Sequence, residues 1–323
     1  MTIARWARPF PDGRPRDRRG HNVSCTALDS APESARPAPH LETDLRFVKY
    51  HGLGNDFIVL VEGTPTPELA TRLCRRGFSI GADGVMAVSP PSPGVDAHVR
   101  MDLINSDGSL PEMCGNGIRC LVKDAIDRLG YRQNPLRVET PAGVLACEWV
   151  ADEHGVSRVR VAMSRPTFEL HAVPVDPGAG RTSGAWFELE LDSRPVVGLP
   201  VNTGNPHFVV FGDASRERAL SDGPRLENHP AFPKKANIEF AEVLSPTHLK
   251  VTVWERGCGL TLACGTGATA STAAAIRAGH AAADTPVTVS LPGGDLLITV
   301  SADFSSAIMD GPVEKAFEGE LAP

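Results

Sequence analysis

Residues 113–117 read Met-Cys-Gly-Asn-Gly, and 150 positions later residues 263–267 read Ala-Cys-Gly-Thr-Gly. The match extends outward from both. His51-Gly52-Leu53-Gly54-Asn55-Asp56-Phe57-Ile58-Val59 precedes the first stretch, and Val201-Asn202-Thr203-Gly204-Asn205-Pro206-His207-Phe208-Val209-Val210 precedes the second. From Asn55 to Cys114 is 59 residues, and from Asn205 to Cys264 is again 59. Asn105 lies nine residues before Cys114, and Glu255 nine before Cys264. Thr140-Pro141-Ala142-Gly143 follows the first cysteine, and Leu291-Pro292-Gly293-Gly294 follows the second at almost the same distance. Self-similarity in register at several points marks an internal duplication rather than recurrent glycine-rich turns.

The apolar pattern supports two copies. Phe57–Val61, Phe208–Phe211, Val99–Ile104 and Leu249–Trp254 read as strands, the last two running toward the cysteines. Gly115–Leu129 and Gly265–Ala278 read as helices. The second is Ala-rich and apolar on all sides, which predicts burial. Gly130 and Gly279 fall just past the helix ends, where glycine is favoured. Leu136–Thr140, Leu145–Val150, Val287–Leu291 and Leu296–Val300 read as further strands. The expected fold is therefore α/β (α+β). Two pseudo-symmetric domains each wrap a mostly antiparallel sheet or barrel around a central helix, with a cleft between them. The boundaries read as 45–163 and 164–311, with the tail 312–323 packing back on the first copy.

Residues 1–44 differ from the rest. They are rich in Arg, Pro, Ser and Ala, carry Arg14, Arg16, Arg18 and Arg19 close together, and show no apolar period. This composition predicts a disordered, non-catalytic extension. No apolar stretch follows the arginines, as a secretory signal requires, and six acidic residues argue against a transit peptide.

Composition narrows the function. A length of 323 residues suits two domains, and a net charge of −7 supplies no basic field for nucleic acid. No apolar run is long enough to span a membrane. The seven cysteines are odd in number, scattered, and never spaced C-x-x-C, so a disulfide framework and a structural zinc are not expected. A reducing cytoplasm is the natural setting. Cys74, Cys120, Cys147 and Cys258 read as small buried hydrophobes.

Cys114 and Cys264 read differently. Each stands just before Gly-x-Gly at the start of a helix. The first N–H groups of a helix lack internal partners and can bind an anion, and glycine lets a ligand approach. A helix N-terminus is also expected to lower the pKa of a nearby thiol. A carboxylate held between two helix starts would set its α-carbon between the two sulfurs. One thiolate could then remove a proton from one face while the opposite thiol delivers one to the other, inverting the centre. Preorganised N–H groups and excluded water would stabilise the carbanion.

These residues carry a resemblance. His51 through Phe57, Asn105-Ser106-Asp107-Gly108-Ser109, Met113 through Cys120, Gly204-Asn205-Pro206-His207, Asn237, Glu255-Arg256-Gly257 and Ala263 through Gly267 are similar to segments of the diaminopimelate epimerases. The resemblance covers roughly residues 46–320. It implies interconversion of LL- and meso-2,6-diaminopimelate without pyridoxal phosphate or metal, on the route to lysine and peptidoglycan precursors, by a homodimer. It makes Cys114 and Cys264 the acid–base pair. It gives the reacting carboxylate to the N–H groups of Gly115, Asn116, Gly265 and Thr266. Asn105, Asn237, Glu255 and Arg256 would recognise the distal amino-acid end, the guanidinium as a bidentate fork. Asn55 and Asn205 would line the reacting end, His207 and Glu255 would tune the thiols, and Met113 would help to wall the site. Two positions depart from the pattern. Gly84 stands where some members have Gln, and Phe317 where some have a Tyr at the dimer contact.

Other readings of the same residues stay open. Asn55, Asn105 and Asn205 adjoin turn formers, His207 could be a satisfied core histidine, and Glu255-Arg256 a surface pair. The chain could act on another amino acid, of proline or histidine type. It could be a cysteine hydrolase pairing Cys114 with His207, or a binding protein without catalysis.

Overall fold

A computed structural model describes residues 44–111 and 114–322. The expectations for the N-terminal extension and for Met113 lie outside the described residues. The first copy runs β1 (Leu45–Gly52), β2 (Asn55–Leu60), α1 (Pro67–Leu73), β3 (Gly84–Ser89), β4 (Val99–Asn105), α2 (Gly115–Asp127), β5 (Leu136–Thr140), β6 (Gly143–Asp152) and β7 (Gly155–Met163). A short hairpin, β8 (Arg181–Ser183) and β9 (Trp186–Leu191), follows. The second copy runs β10 (Arg194–Asn202), β11 (Pro206–Phe211), α3 (Arg216–Glu227), β12 (Asn237–Ser245), β13 (His248–Glu255), β14 (Gly259–Leu260), α4 (Gly265–Arg277), β15 (Val287–Leu291), β16 (Gly294–Val300) and β17 (Ala307–Pro312). The chain ends in β18 (Glu314–Leu321).

Both copies are wired alike. β1 pairs antiparallel with β2, β2 parallel with β3, β3 antiparallel with β4, β4 parallel with β5, and β5, β6 and β7 form an antiparallel meander. The same succession of directions joins β10, β11, β12, β13, β15, β16 and β17. Two antiparallel pairings stitch the copies into one sheet. β17 lies against β7, with Met309 opposite Val161, and β18 returns to β1, with Leu45 opposite Leu321.

Each copy wraps its sheet around one helix. α2 is buried from Gly115 to Ile126, and α4 from Gly265 to Ala275. The alanines of α4 suit that burial, since a small side chain on every face lets strands approach from all directions. Two of its threonines bond back to the helix: the hydroxyls of Thr269 and Thr272 donate to the carbonyls of Gly265 and Ala268. α2 buries ionisable groups instead, and all are partnered. Lys123 donates to Asp127 and to the carbonyl of Val156, while Asp124 accepts from Tyr50 and Arg128. Both helices end as expected, with Gly130 and Gly279 at φ of 79° and 76°.

The two helix starts meet. A Cβ added to Gly265 would stand 3.8 Å from Gly115 Cα, and the Met309 side chain wedges against both glycines. Duplication thus places residue 114 and residue 264 at one seam.

Candidate active site

Cys114 and Cys264 are the N-caps of α2 and α4. Both have extended backbones, φ −135° and −130°, and each sulfur accepts a hydrogen bond from the glycine three residues on. Gly117 N lies 3.2 Å from Cys114 Sγ and Gly267 N lies 3.4 Å from Cys264 Sγ. Sulfur here takes the place of the usual Ser or Asp oxygen at a helix start. The remaining first-turn N–H groups of Gly115, Asn116, Gly265 and Thr266 have no intrahelical acceptor, as the anion-binding expectation requires.

The expected lowering of the thiol pKa values does not hold. Burial pushes Cys114 up to about 11, with the Gly117 N–H pulling the other way and the Glu255 charge adding to the rise. Burial also holds Cys264 well above the ordinary thiol range, again with Glu255 adding to it. Desolvation of a thiolate outweighs the helix end, although Cys264 is buried and Cys114 only partly so. Burial thus favours the protonated form of both groups.

The asparagines of the two copies do matching work. Asn116 donates to Asn55 Oδ1 at 3.1 Å, and Asn205 donates to its own copy's counterpart, Thr266 Oγ1, at 3.4 Å. Asn116 also donates to the carbonyl of Ala263 at 3.1 Å, tying the start of α2 to the residue before Cys264. Asn55 in turn is held by Asp83 Oδ2 at 2.6 Å, within a cluster of Lys49, Asp56, Arg76 and Asp83. These bonds go beyond what turn formation needs.

The distal set is less uniform. Glu255 accepts from Thr261 at 2.6 Å and shares a hydrogen bond with Cys264; burial raises its pKa. Asn237 is buried and spends both ends of its amide on the protein. It donates to the Pro206 carbonyl and accepts from Arg256 N at 2.8 Å, so it fixes the turn that carries Arg256. The Asn105 amide donates to Ser109 Oγ at 3.0 Å, across the turn that follows β4. His207 is fully buried between Glu239 and Asn205, with both ring nitrogens engaged. That removes the reading in which it activates Cys114 as in a hydrolase. Phe317 is not at this site. It lies on β18, 47% exposed, edge-on to Phe47.

Gly84 is closed to a side chain. A Cβ there would stand 2.9 Å from the Ile104 carbonyl oxygen and 3.2 Å from the Phe57 ring. The departure from Gln is thus built into the packing of β3 on β4 and β2.

Two further buried residues, Arg119 and Glu239, stand beside this site without having a role among the expectations above. Arg119 is fully buried and has no carboxylate partner within ion-pair distance among the described residues. It donates instead to the Pro312 and Gly115 carbonyls and to Asn116 Oδ1 at 2.8 Å. It thereby orients the amide that bridges the copies. Its counterpart in the second copy is Thr269. A charge inside an otherwise buried helical run was the available signal. Glu239 carried none, since in Asn237-Ile238-Glu239-Phe240 it reads as the solvent face of a strand, whereas both faces are buried there.

Comparison with known proteins agrees with this architecture. A family model described as diaminopimelate epimerase matches residues 47–169 and 199–316, one segment in each copy. A diaminopimelate epimerase of Desulfitobacterium hafniense is 44% identical over 285 residues, covering 86% of this chain and 98% of that one. One of Synechocystis is 42% identical over 282 residues, covering 85% and 98%. Among solved structures, a probable proline racemase from Agrobacterium radiobacter shares the fold, with a TM-score of 0.61, 14% identity, and 86% and 93% of the two chains covered. A hydroxyproline epimerase from Agrobacterium vitis does so at 0.61 and 13% identity, covering 88% and 94%. The chain belongs to the diaminopimelate epimerase family.

Proposed function

We propose that this protein interconverts LL- and meso-2,6-diaminopimelate by passing protons between the α-carbon and two cysteines, with no cofactor. The supporting observation is the pair of N-capping thiols at two helix starts that meet at Gly115 and Gly265. The α-carboxylate binds the first-turn N–H groups of Gly115, Asn116, Gly265 and Thr266. Asn55 and Asn205 hold those turns in place. The substrate's α-ammonium supplies the cation that lets one buried thiol give up its proton to solvent as the substrate binds, leaving one thiolate and one thiol. That thiolate takes the α-proton, and the opposite thiol releases its own proton to the other face. The product leaves with inverted configuration, and the enzyme is left with the two roles exchanged. The carbanion's charge spreads onto the carboxylate, where the helix N–H groups already point. Arg256, Glu255 and Asn105 receive the distal amino-acid end, and Asn237 positions Arg256.

The copies divide at residues 163 and 164 in this reading, with β18 returned to the first. The exposed outer side of β18, with Phe317, serves as the contact of a homodimer. The protein works in the cytoplasm, where both thiols stay reduced. Among the described residues no helix is long and apolar enough to cross a membrane.

A direct test incubates the protein in heavy water with LL-diaminopimelate, with proline and with histidine, and follows deuterium by NMR. Deuterium should enter the α-carbon of diaminopimelate as its configuration inverts. Entry into proline or histidine alone would overturn the substrate assignment.

A further inference from the structure

The two cysteines share a backbone but not their surroundings. Behind the start of α2 lie Phe57 and Met86, both apolar and buried. A Cβ on Gly117 would meet Met86 Cε at 3.3 Å. Behind the start of α4 the equivalent places hold His207 and Glu239, both fully buried, and a Cβ on Gly267 would meet Glu239 Oε1 at 2.9 Å. Duplication supplied two identical scaffolds; one of them carries a buried acid and imidazole that the catalytic scheme above leaves unused.

The hydrogen bonds run in one direction. Glu239 Oε1 lies 2.6 Å from His207 Nδ1, and His207 Nε2 lies 2.7 Å from Asn205 Oδ1. Each ring nitrogen faces an oxygen, so one hydrogen sits in each gap. With Asn205 Oδ1 facing it, Nε2 carries a hydrogen and donates to Asn205, and the hydrogen of the other gap lies between Nδ1 and the Glu239 carboxyl. That fixes the Asn205 amide with its Nδ2 toward Thr266 Oγ1, at 3.4 Å. The Thr266 oxygen is then an acceptor on one side, and its own hydrogen is free to point at Cys264 Sγ, also 3.4 Å away. The second oxygen of Glu239 is buried with no partner, so the carboxyl is held by the histidine alone. In the first copy the chain never reaches sulfur. It runs from Arg119 through Asn116 and Asn55 to Asp83, and Asn116 occupies the place of Thr266.

The geometry points to Glu239 as a positioning residue that, through His207 and Asn205, sets the Thr266 hydroxyl on the sulfur of Cys264 and so distinguishes it from Cys114. The hydroxyl stabilises the thiolate of Cys264 whenever that residue serves as base. Glu239 itself touches no reacting atom. Part of the test rests on the epimerase reading and part does not.

The experiment compares wild type with Glu239→Met, which installs the first copy's side chain, and with Glu239→Gln, which keeps the shape and one hydrogen bond. Cys114 and Cys264 are alkylated with iodoacetamide and followed separately by peptide mass spectrometry, and turnover of LL-diaminopimelate is measured in parallel. Glu239→Met should slow Cys264 alkylation by about tenfold, the order of one hydrogen bond, and leave Cys114 within about twofold. Glu239→Gln should fall between. kcat should drop with Cys264 alkylation while KM stays within about twofold. Thr266→Val should slow Cys264 equally and add nothing to Glu239→Met. Unchanged or faster alkylation of Cys264 would overturn the inference, faster alkylation meaning that the carboxylate acts by its own charge. Equal slowing of both thiols would also overturn it, as general loosening. If wild type turns over no diaminopimelate, the functional reading fails, yet the alkylation contrast still decides the relay.

Discussion

The first and second copies agree in every pairing direction of seven strands and differ in what they bury against their central helix. Around α2 the core is apolar behind the thiol and charged along the helix, with Arg119, Lys123 and Asp124. Around α4 the buried part of the helix carries small, uncharged side chains, and the buried ionisable groups stand on the strands instead, as His207 and Glu239. In the proposed mechanism backbone symmetry is what the two thiols need, because the substrate carbon would be reached from two sides. Side-chain asymmetry costs that geometry nothing, and it lets each thiol be tuned alone.

The largest expected effect tests where the copies must be equal. Cys114→Ala and Cys264→Ala should each lower the rate of epimerisation by about 10²–10⁴-fold, the range for loss of a positioned acid or base. Near-wild-type turnover by either variant would break the symmetry that the mechanism assumes. Substitution at the paired positions 119 and 269 sharpens the difference. Arg119→Met leaves the acceptors on Asn116, Gly115 and Pro312 unserved and should cost about 3 kcal/mol of unfolding free energy in urea. Thr269→Val removes one bond within α4 and should cost only about 1 kcal/mol. Equal losses would mean that the seam does not depend on the guanidinium.

A smaller effect follows from burial of the thiols. The folded-state pKa of Cys114, about 11, lies above the usual unfolded value of about 8.5. The folded protein therefore keeps its proton longer than the unfolded chain does. This contribution to stability is whole below about pH 8.5 and drains away as the pH climbs toward the folded value. Urea midpoints should fall over that window, and less steeply in Cys114→Ala. An unchanged slope would show that the thiol is better solvated than its surroundings indicate.

Much of this was legible in the sequence, and unevenly. Leu136–Thr140 and Val287–Leu291 are read to the residue, because Gly and Pro close one end of each and the apolar alternation is strict. Both central helices are placed to within two residues at their ends by glycines on either side. Elements off this frame were silent. α3 contains Gly223 and Pro224 and shows no apolar stripe, yet it packs Ala219 and Leu226 into the core. The start of β12 is buried on both faces, so its polar Asn237 and Glu239 gave no sign of lying inside. At the site, the repeat located Cys114, Cys264, Asn55 and Asn205. It could not show that burial overrides the helix ends in setting the thiol pKa values. It also could not find Glu239, because a repeat reveals only what the copies share.

The proposed mechanism requires two thiols facing one carbon, and oxidation reads that most directly. Treating substrate-free enzyme with diamide, which takes two electrons and two protons from a pair of thiols, should join Cys114 to Cys264. A tryptic map would show that cross-linked peptide, and dithiothreitol should restore activity. Both residues remaining free thiols in fully active enzyme, or Cys114 joined instead to Cys120, would contradict it.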